Sequence, residues 1–194
     1  MSVVCFYYPF FADFEITLAF HKIRQVGRRE VLGMGYSAEP VTSESGLRYL
    51  PDITVAEALL REDIEALVIP GGPIQPPGEG ILALIRQLHA RGVPVAAICN
   101  GPHYLARAGL LDTRAYATTC TPASAARQGL ADPFPRAHCQ EEARVVCVDG
   151  LITAKGRAFV DFSMALFDAL KIYPDRSEQL QLWRDIQGAP APER

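Results

Sequence analysis

The 194-residue chain reads as an α/β protein, with a mostly parallel sheet covered by helices on both faces. Three observations predict it. Short continuous apolar runs, at 66–70 and 93–98, have the pattern of strands buried on both faces. Between such runs lie segments with apolar residues in helical rhythm, as at Ile81, Leu82, Leu84, Ile85 and Leu88. The runs also stop at Gly-rich turns, Gly71-Gly72-Pro73 and Asn100-Gly101-Pro102, where a chain leaves a sheet for a helix. In such a sheet, ligands gather beyond the carboxyl ends of the strands.

The elements follow in order. Residues 3–7 form an apolar strand, and 13–26 a helix with Phe14, Leu18 and Ile23 on its inner face. A second strand covers 30–34. Val41, Gly46, Tyr49 and Pro51-Asp52 read as a small strand pair or extended connection, after which Asp52 or Thr54 caps a short helix over 55–60. The strand at 66–70 leads through a surface loop, 73–80, to a helix ended by Gly92, and the strand at 93–98 leads to a helix with Pro102 in its first turn, stopping near Gly109. Residues 115–118 read as a short strand, Thr121-Pro122 opens a helix, and 132–135 is a Pro-rich loop. The runs 143–148 and 151–154 flank Asp149-Gly150, a pair suited to the positive φ angles of a two-residue hairpin turn. A long helix over 158–170 closes a domain at 1–172. Residues 173–194 hold a further helix around 177–186 and a frayed tail, GAPAPER.

Composition narrows the function. A net charge of −3 and a pI near 5.8 argue against nucleic acid or anionic lipid as a partner. The longest apolar runs fall far short of the roughly 20 residues that span a bilayer, and MSVVCFYY enters a strand without a secretory signal, so a cytoplasmic location is expected. The five cysteines lack CxxC spacing, which predicts reduced thiols rather than a disulfide framework or zinc site. His138, Cys139 and Cys147 fit no standard metal pattern, and no metal or other cofactor is expected.

The stretch VPVAAICNGP delivers Cys99 from a buried strand to a sharp turn from which a helix departs, the layout of a nucleophile elbow. Partial positive charge at a helix start favours a thiolate, and the Asn100 N–H is placed to meet an oxyanion. Without further information Cys99 is equally well read as a small buried hydrophobe.

AICNGPHYLARAGLL resembles the cysteine-elbow signature of the ThiJ/PfpI superfamily, proteins with a class I glutamine amidotransferase-like fold, except that Asn100 stands where His is usual. The resemblance extends to VVCFYYPFFADFEI, LVIPGG and VCVDGLITAKG, in the right order over about residues 1–170. It implies a flavodoxin-like three-layer sandwich with a mostly parallel central sheet. It also implies that Glu15 hydrogen-bonds the Cys99 thiol, that the Gly72 and Asn100 N–H groups form an oxyanion hole, and that the protein is a homodimer. Phe10 and Phe11, beside the first helix, are apolar candidates for that interface. Asp13, in contrast to Glu15, reads as a solvent-facing acid. Asn cannot serve as a general base, so His103, one helical turn beyond Cys99, and His138, after the Pro-rich loop, are the candidate bases. Lys155 and Arg157 read as a solvated helix start, with anion binding the alternative. No Cys-His-Glu triad can be placed, which leaves amidotransferase chemistry unsupported.

Two functions follow. One is a cysteine-dependent, stress-related enzyme acting on small reactive carbonyl or amide compounds, glyoxalase-like or amidase/peptidase-like. The other is a non-enzymatic sensor whose Cys99 reacts with a small-molecule oxidant under oxidative stress. In either case Cys99 is expected to be the most acidic of the five thiols.

Overall fold

The computed structural model describes residues 1–127, 129 and 131–188. Its main sheet has seven strands. They are β1 (Ser2–Phe6), β2 (Glu30–Gly35), β5 (Ile53–Thr54), β6 (Ile64–Ile69), β7 (Val95–Ile98), β8 (Val145–Val148) and β9 (Leu151–Ala154). The order across the sheet is β5-β2-β1-β6-β7-β9-β8, parallel throughout except where β8 turns back on β9. A separate antiparallel pair, β3 (Val41–Thr42) and β4 (Arg48–Tyr49), is the small strand pair read between residues 41 and 52.

The sheet forms because its central strands have no polar face to show to water. All five residues of β1, all four of β7 and all four of β9 are buried, as is β6 except at Glu65. Helices flank it in two groups. One comprises α1 (Phe14–Gln25), α6 (Phe159–Leu170) and α7 (Arg176–Gln187), with α6 packed between the other two. The other comprises α2 (Val55–Ala58), α3 (Glu79–Ala90) and α4 (Pro102–Arg107). Thr54 caps α2: its hydroxyl accepts the Glu57 N–H while Glu57 accepts the Thr54 N–H in return. Asp52, the other candidate cap, instead accepts the Gly33 N–H at 2.7 Å. The Asp149-Gly150 turn has φ of 50° and 76°, as the two-residue hairpin requires.

Some expectations are corrected. Residues 115–118 are not a strand; a single parallel bridge joins Tyr116 to Cys139, and the irregular chain beyond it leads to α5 (Pro122–Arg127). Phe11 is wholly buried against Tyr7, Tyr8 and Tyr49, which makes it core and leaves Phe10, 58% exposed, on the surface. The helix expected near 177–186 docks on α6 through Trp183 Nε1, which donates to Asp161 at 2.7 Å, and through the buried Gln179. Of the tail expected to fray, residues 189–194 lie outside the described residues. Among the described residues no helix is long and apolar enough to cross a membrane.

Candidate active site

The carboxyl ends of four parallel strands converge on one place. β1 leads to Glu15 at the start of α1, β6 to Gly71-Gly72, β7 to Cys99-Asn100 and β9 to Gly156. The chain crosses from one side of β1 to the other between β2 and β6, and the crevice lies beside this switch point.

Cys99 has φ +62°, a left-handed conformation that a side-chain-bearing residue adopts only when its surroundings impose it. Here three hydrogen bonds do so. The Cys99 N–H donates to Ala154 O at 2.8 Å, and its carbonyl accepts from the Thr118 hydroxyl at 2.7 Å and the Thr119 N–H at 3.0 Å. Gly101 completes the bend, because a Cβ there would lie 2.6 Å from Ile69 O and 2.7 Å from Pro70 O.

Glu15 is 1% exposed, and its Oε2 accepts the Gly71 N–H at 2.7 Å. The Glu15 carboxyl, the Thr119 hydroxyl and the Asn100 N–H are the polar groups beside the Cys99 sulfur. Two glycines wall the pair. A Cβ on Gly71 would meet Glu15 Oε2 at 2.6 Å and Cys99 Sγ at 3.0 Å; one on Gly156 would meet Glu15 Oε1 at 2.7 Å and Cys99 Sγ at 2.9 Å. Burial pushes Glu15 up to about 7, against the Gly71 and thiol hydrogen bonds that favour its ionised form.

The thiol is not acidified. Burial, reinforced by the Glu15 charge, pushes Cys99 up to about 12. The expected helix effect is weak for a visible reason: α4 is six residues long and begins with a proline that has no N–H to offer. The arrangement holds its proton between a thiol and a carboxyl that titrates near neutrality, so sulfur can attack an electrophile while the carboxylate takes its proton.

The turn opposite is also held. The Tyr8 hydroxyl donates to Pro70 O at 3.0 Å, and Asn100 Nδ2 donates to Gly72 O at 2.7 Å, tying the Gly-Gly turn to the elbow. Gly72 has φ +135°, and among the described residues no acceptor takes its N–H. Both residues line a cavity of about 670 Å³ that also contains Glu15, Cys99 and Gly156.

The candidate histidines are not brought to the thiol. His103 is buried, with Nδ1 2.9 Å from Asn100 O and Nε2 3.1 Å from Gln75 O, and it faces a different cavity beside α3. His138 sits in a single 3-10 turn, Arg136–His138, and does not line the crevice, although its neighbours Arg136 and Cys139 do. Lys155 and Arg157 line it as well. Asp13 is not solvent-facing. It is 3% exposed and accepts hydrogen bonds from Ser43, Ser45 and Tyr49 at 3.0, 2.6 and 3.0 Å, anchoring the β3–β4 pair to α1. Burial alone would raise its carboxyl, but these hydroxyls outweigh that and hold it below its usual range.

Sequence reasoning missed Gly71 and Gly156 as walls of the thiol pocket, the Thr118–Thr119 clamp, and the Asn100 side chain. Gly156 had a signal, since it follows the end of β9 as Gly71 follows β6. The Thr-Thr pair had none, because its partner is a backbone carbonyl distant in sequence.

A mostly parallel α/β sheet whose strand ends present a strained cysteine to a buried glutamate defines a class of cysteine-elbow proteins. Within it, the chain belongs to the DJ-1/PfpI family, whose model it matches over residues 1–169. It is 31% identical over 107 residues to a deglycase of Pyrococcus horikoshii, a match covering 54% of this chain and 63% of that protein. A deglycase of Thermococcus kodakarensis is 32% identical over 114 residues, 57% of this chain and 68% of that protein. The match thus spans less than two thirds of the length of the first of these relatives and just over two thirds of the second. A DJ-1 superfamily protein of Agrobacterium tumefaciens superposes with a TM-score of 0.79 at 26% identity, covering 96% of this chain and all of that one. The oxidised DJ-1 of Toxoplasma gondii shares the fold, with a TM-score of 0.74 at 21% identity over 98% and 99% of the two chains.

Proposed function

We propose that this protein is a cysteine-dependent enzyme acting on small reactive carbonyl compounds, 2-oxoaldehydes above all. One observation carries the reading: a buried carboxyl titrating near 7 lies against the thiol of a strained cysteine, on the floor of an open cavity. The names of the archaeal relatives, deglycases, point to the same carbonyl chemistry.

As Cys99 sulfur adds to the aldehyde carbon, Glu15 accepts the thiol proton. The carbonyl electrons move to oxygen, which the Gly72 and Asn100 N–H groups receive before it is protonated to a hemithioacetal. Glu15, having lost its proton again, removes the proton from the former aldehyde carbon and returns it to the neighbouring carbon, while the hydroxyl proton on the former aldehyde oxygen passes to the neighbouring ketone oxygen. The resulting thioester is hydrolysed by water to a 2-hydroxy acid, and no external oxidant enters. The amide-hydrolysing alternative is less well supported, because protonating an amine leaving group calls for an acid such as histidine, and neither His103 nor His138 faces the thiol.

The test is turnover of methylglyoxal by the purified protein, followed as lactate released. Activity is expected to rise with pH around a midpoint near 7, as Glu15 becomes able to accept a proton, and to vanish in Cys99→Ser. Absence of turnover across pH 5–9, or full turnover in Cys99→Ser, overturns the proposal.

A further inference from the structure

Three of the five cysteines, Cys99, Cys120 and Cys139, line the same cavity, Cys120 at 2% exposure, whereas Cys5 on β1 and Cys147 on β8 lie away from it. We infer that Cys120 is a second reactive thiol of this site and closes a disulfide with Cys99 once a hydroperoxide has oxidised Cys99. The inference requires a nucleophilic Cys99 but not carbonyl turnover.

Proximity comes first. The Thr118 hydroxyl donates to Cys99 O at 2.7 Å and accepts the Cys120 N–H at 3.2 Å, so one side-chain oxygen stitches the two cysteine backbones together. Both residues line the crevice beside this stitch. Cys120 lies in the irregular segment between the Tyr116 bridge and α5, outside any strand ladder. That segment is where the chain must adjust for the two residues to reach the Cα separation of about 5.5–6 Å that a disulfide needs.

The surroundings of the Cys120 sulfur come second. Arg136 Nη2 approaches it at 3.9 Å, and the Ser124 oxygen lies 3.6 Å away with its proton donated to Thr121 O at 2.8 Å. Arg136 is held for this contact by Nη1 donating to Cys120 O at 2.8 Å, by two hydrogen bonds to Asp132 and by stacking over Phe134. A guanidinium beside the sulfur favours the negative charge it carries during attack. Cys139 is the other cysteine on the cavity; it lies beside the Tyr116 hydroxyl, and among the described residues no guanidinium is hydrogen-bonded to its sulfur.

The chemistry closes in two steps. Cys99 sulfur attacks a peroxide oxygen; the S–O bond forms, the O–O bond breaks, and the thiol proton passes by way of Glu15 to the departing oxygen, leaving as water or alcohol. Cys99 is thereby oxidised to the sulfenic acid and the peroxide reduced. Cys120 sulfur then bonds to Cys99 sulfur, the S–O bond breaks, and hydroxide leaves with the Cys120 proton as water. The disulfide intercepts Cys99 before a second oxidation makes the irreversible sulfinic acid, and thiol reductants restore it.

The experiment treats the whole protein with a few equivalents of hydrogen peroxide, followed by intact mass and non-reducing peptide mapping. Expected for the wild type is a loss of two hydrogens, a Cys99–Cys120 cross-linked peptide, and full recovery in dithiothreitol. Cys120→Ser should instead gain two oxygens at Cys99, and Cys99→Ser should leave Cys120 unmodified. The inference is overturned if the wild type goes to sulfinic acid as readily as Cys120→Ser, if the cross-link runs to Cys139, or if Cys99 is not oxidised. Mapping of the wild type decides the matter even if a variant folds poorly. Because the readout is mass rather than turnover, failure here and failure of the carbonyl chemistry are separate results.

Discussion

Replacing Glu15 with glutamine tests the electrostatics of the site through stability alone. In the folded protein Glu15 keeps its proton to about pH 7, while in the unfolded chain it ionises near its ordinary 4.5. Below 4.5 both states are protonated and the burial of a neutral carboxyl costs little. As pH rises from 4.5 to 7 the unfolded chain releases its proton first, so stability falls; above 7 both states are ionised and the loss is complete. The separation corresponds to about 3 kcal/mol, at roughly 1.4 kcal/mol per tenfold change. The amide of the Glu15→Gln variant has no proton to release, yet its oxygen can still accept the Gly71 N–H that Glu15 accepts at 2.7 Å. Denaturant unfolding of both proteins from pH 4 to 8.5 should therefore show near-equal stability at pH 4. At pH 8.5 the variant should be more stable by about 3 kcal/mol, with the divergence confined to pH 4.5–7. A difference that does not change with pH would refute the argument, and a divergence with the opposite sign would show that the Gly71 and thiol hydrogen bonds, rather than burial, set the carboxyl.

Two further substitutions separate space from chemistry. Gly156→Ala places a Cβ 2.7 Å from Glu15 Oε1 and 2.9 Å from Cys99 Sγ, so unfolding should cost about 1–3 kcal/mol less and carbonyl turnover should be lost while circular dichroism stays native. Asn100→Ala keeps the N–H facing the sulfur and loses the 2.7 Å bond to Gly72 O; about 1 kcal/mol of stability should go, with a fall in turnover under tenfold. By contrast, Glu15→Gln should lose about 100-fold to 10,000-fold in turnover.

The strands were legible because burial on both faces leaves an unbroken apolar run, and Gly or Pro marks where each ends. The elbow was legible for the same reason. Hidden from sequence were interactions made by ordinary residues with distant backbone. The residues 115–118 look like a strand because Tyr116 and Ala117 are buried, yet their hydrogen bonds go to Cys139's neighbours and to the Thr153 hydroxyl instead of a ladder. Asp13 reads as surface because an acid at a helix start usually is, and only the return of β3–β4 over it supplies the three hydroxyls that make burial tolerable. The resemblance pairs Glu15 with Cys99, and both lie against Gly71 and Gly156, but the sign of the thiol's shift depended on burial and on a helix too short to oppose it.

The convergence of four strand ends also orders events during folding. Cys99 leaves β7, yet its N–H is satisfied only by Ala154 at the end of β9, the last strand of the sheet to be synthesised and one inserted between β7 and β8. A chain ending before residue 150 contains both Glu15 and Cys99 but lacks the strand that pins the elbow and the Gly156 wall that closes the pocket. The reactive geometry therefore acts as a checkpoint on assembly: a nascent or misfolded chain carries the thiol without its aim, and carbonyl turnover should appear during refolding only after β9 has docked.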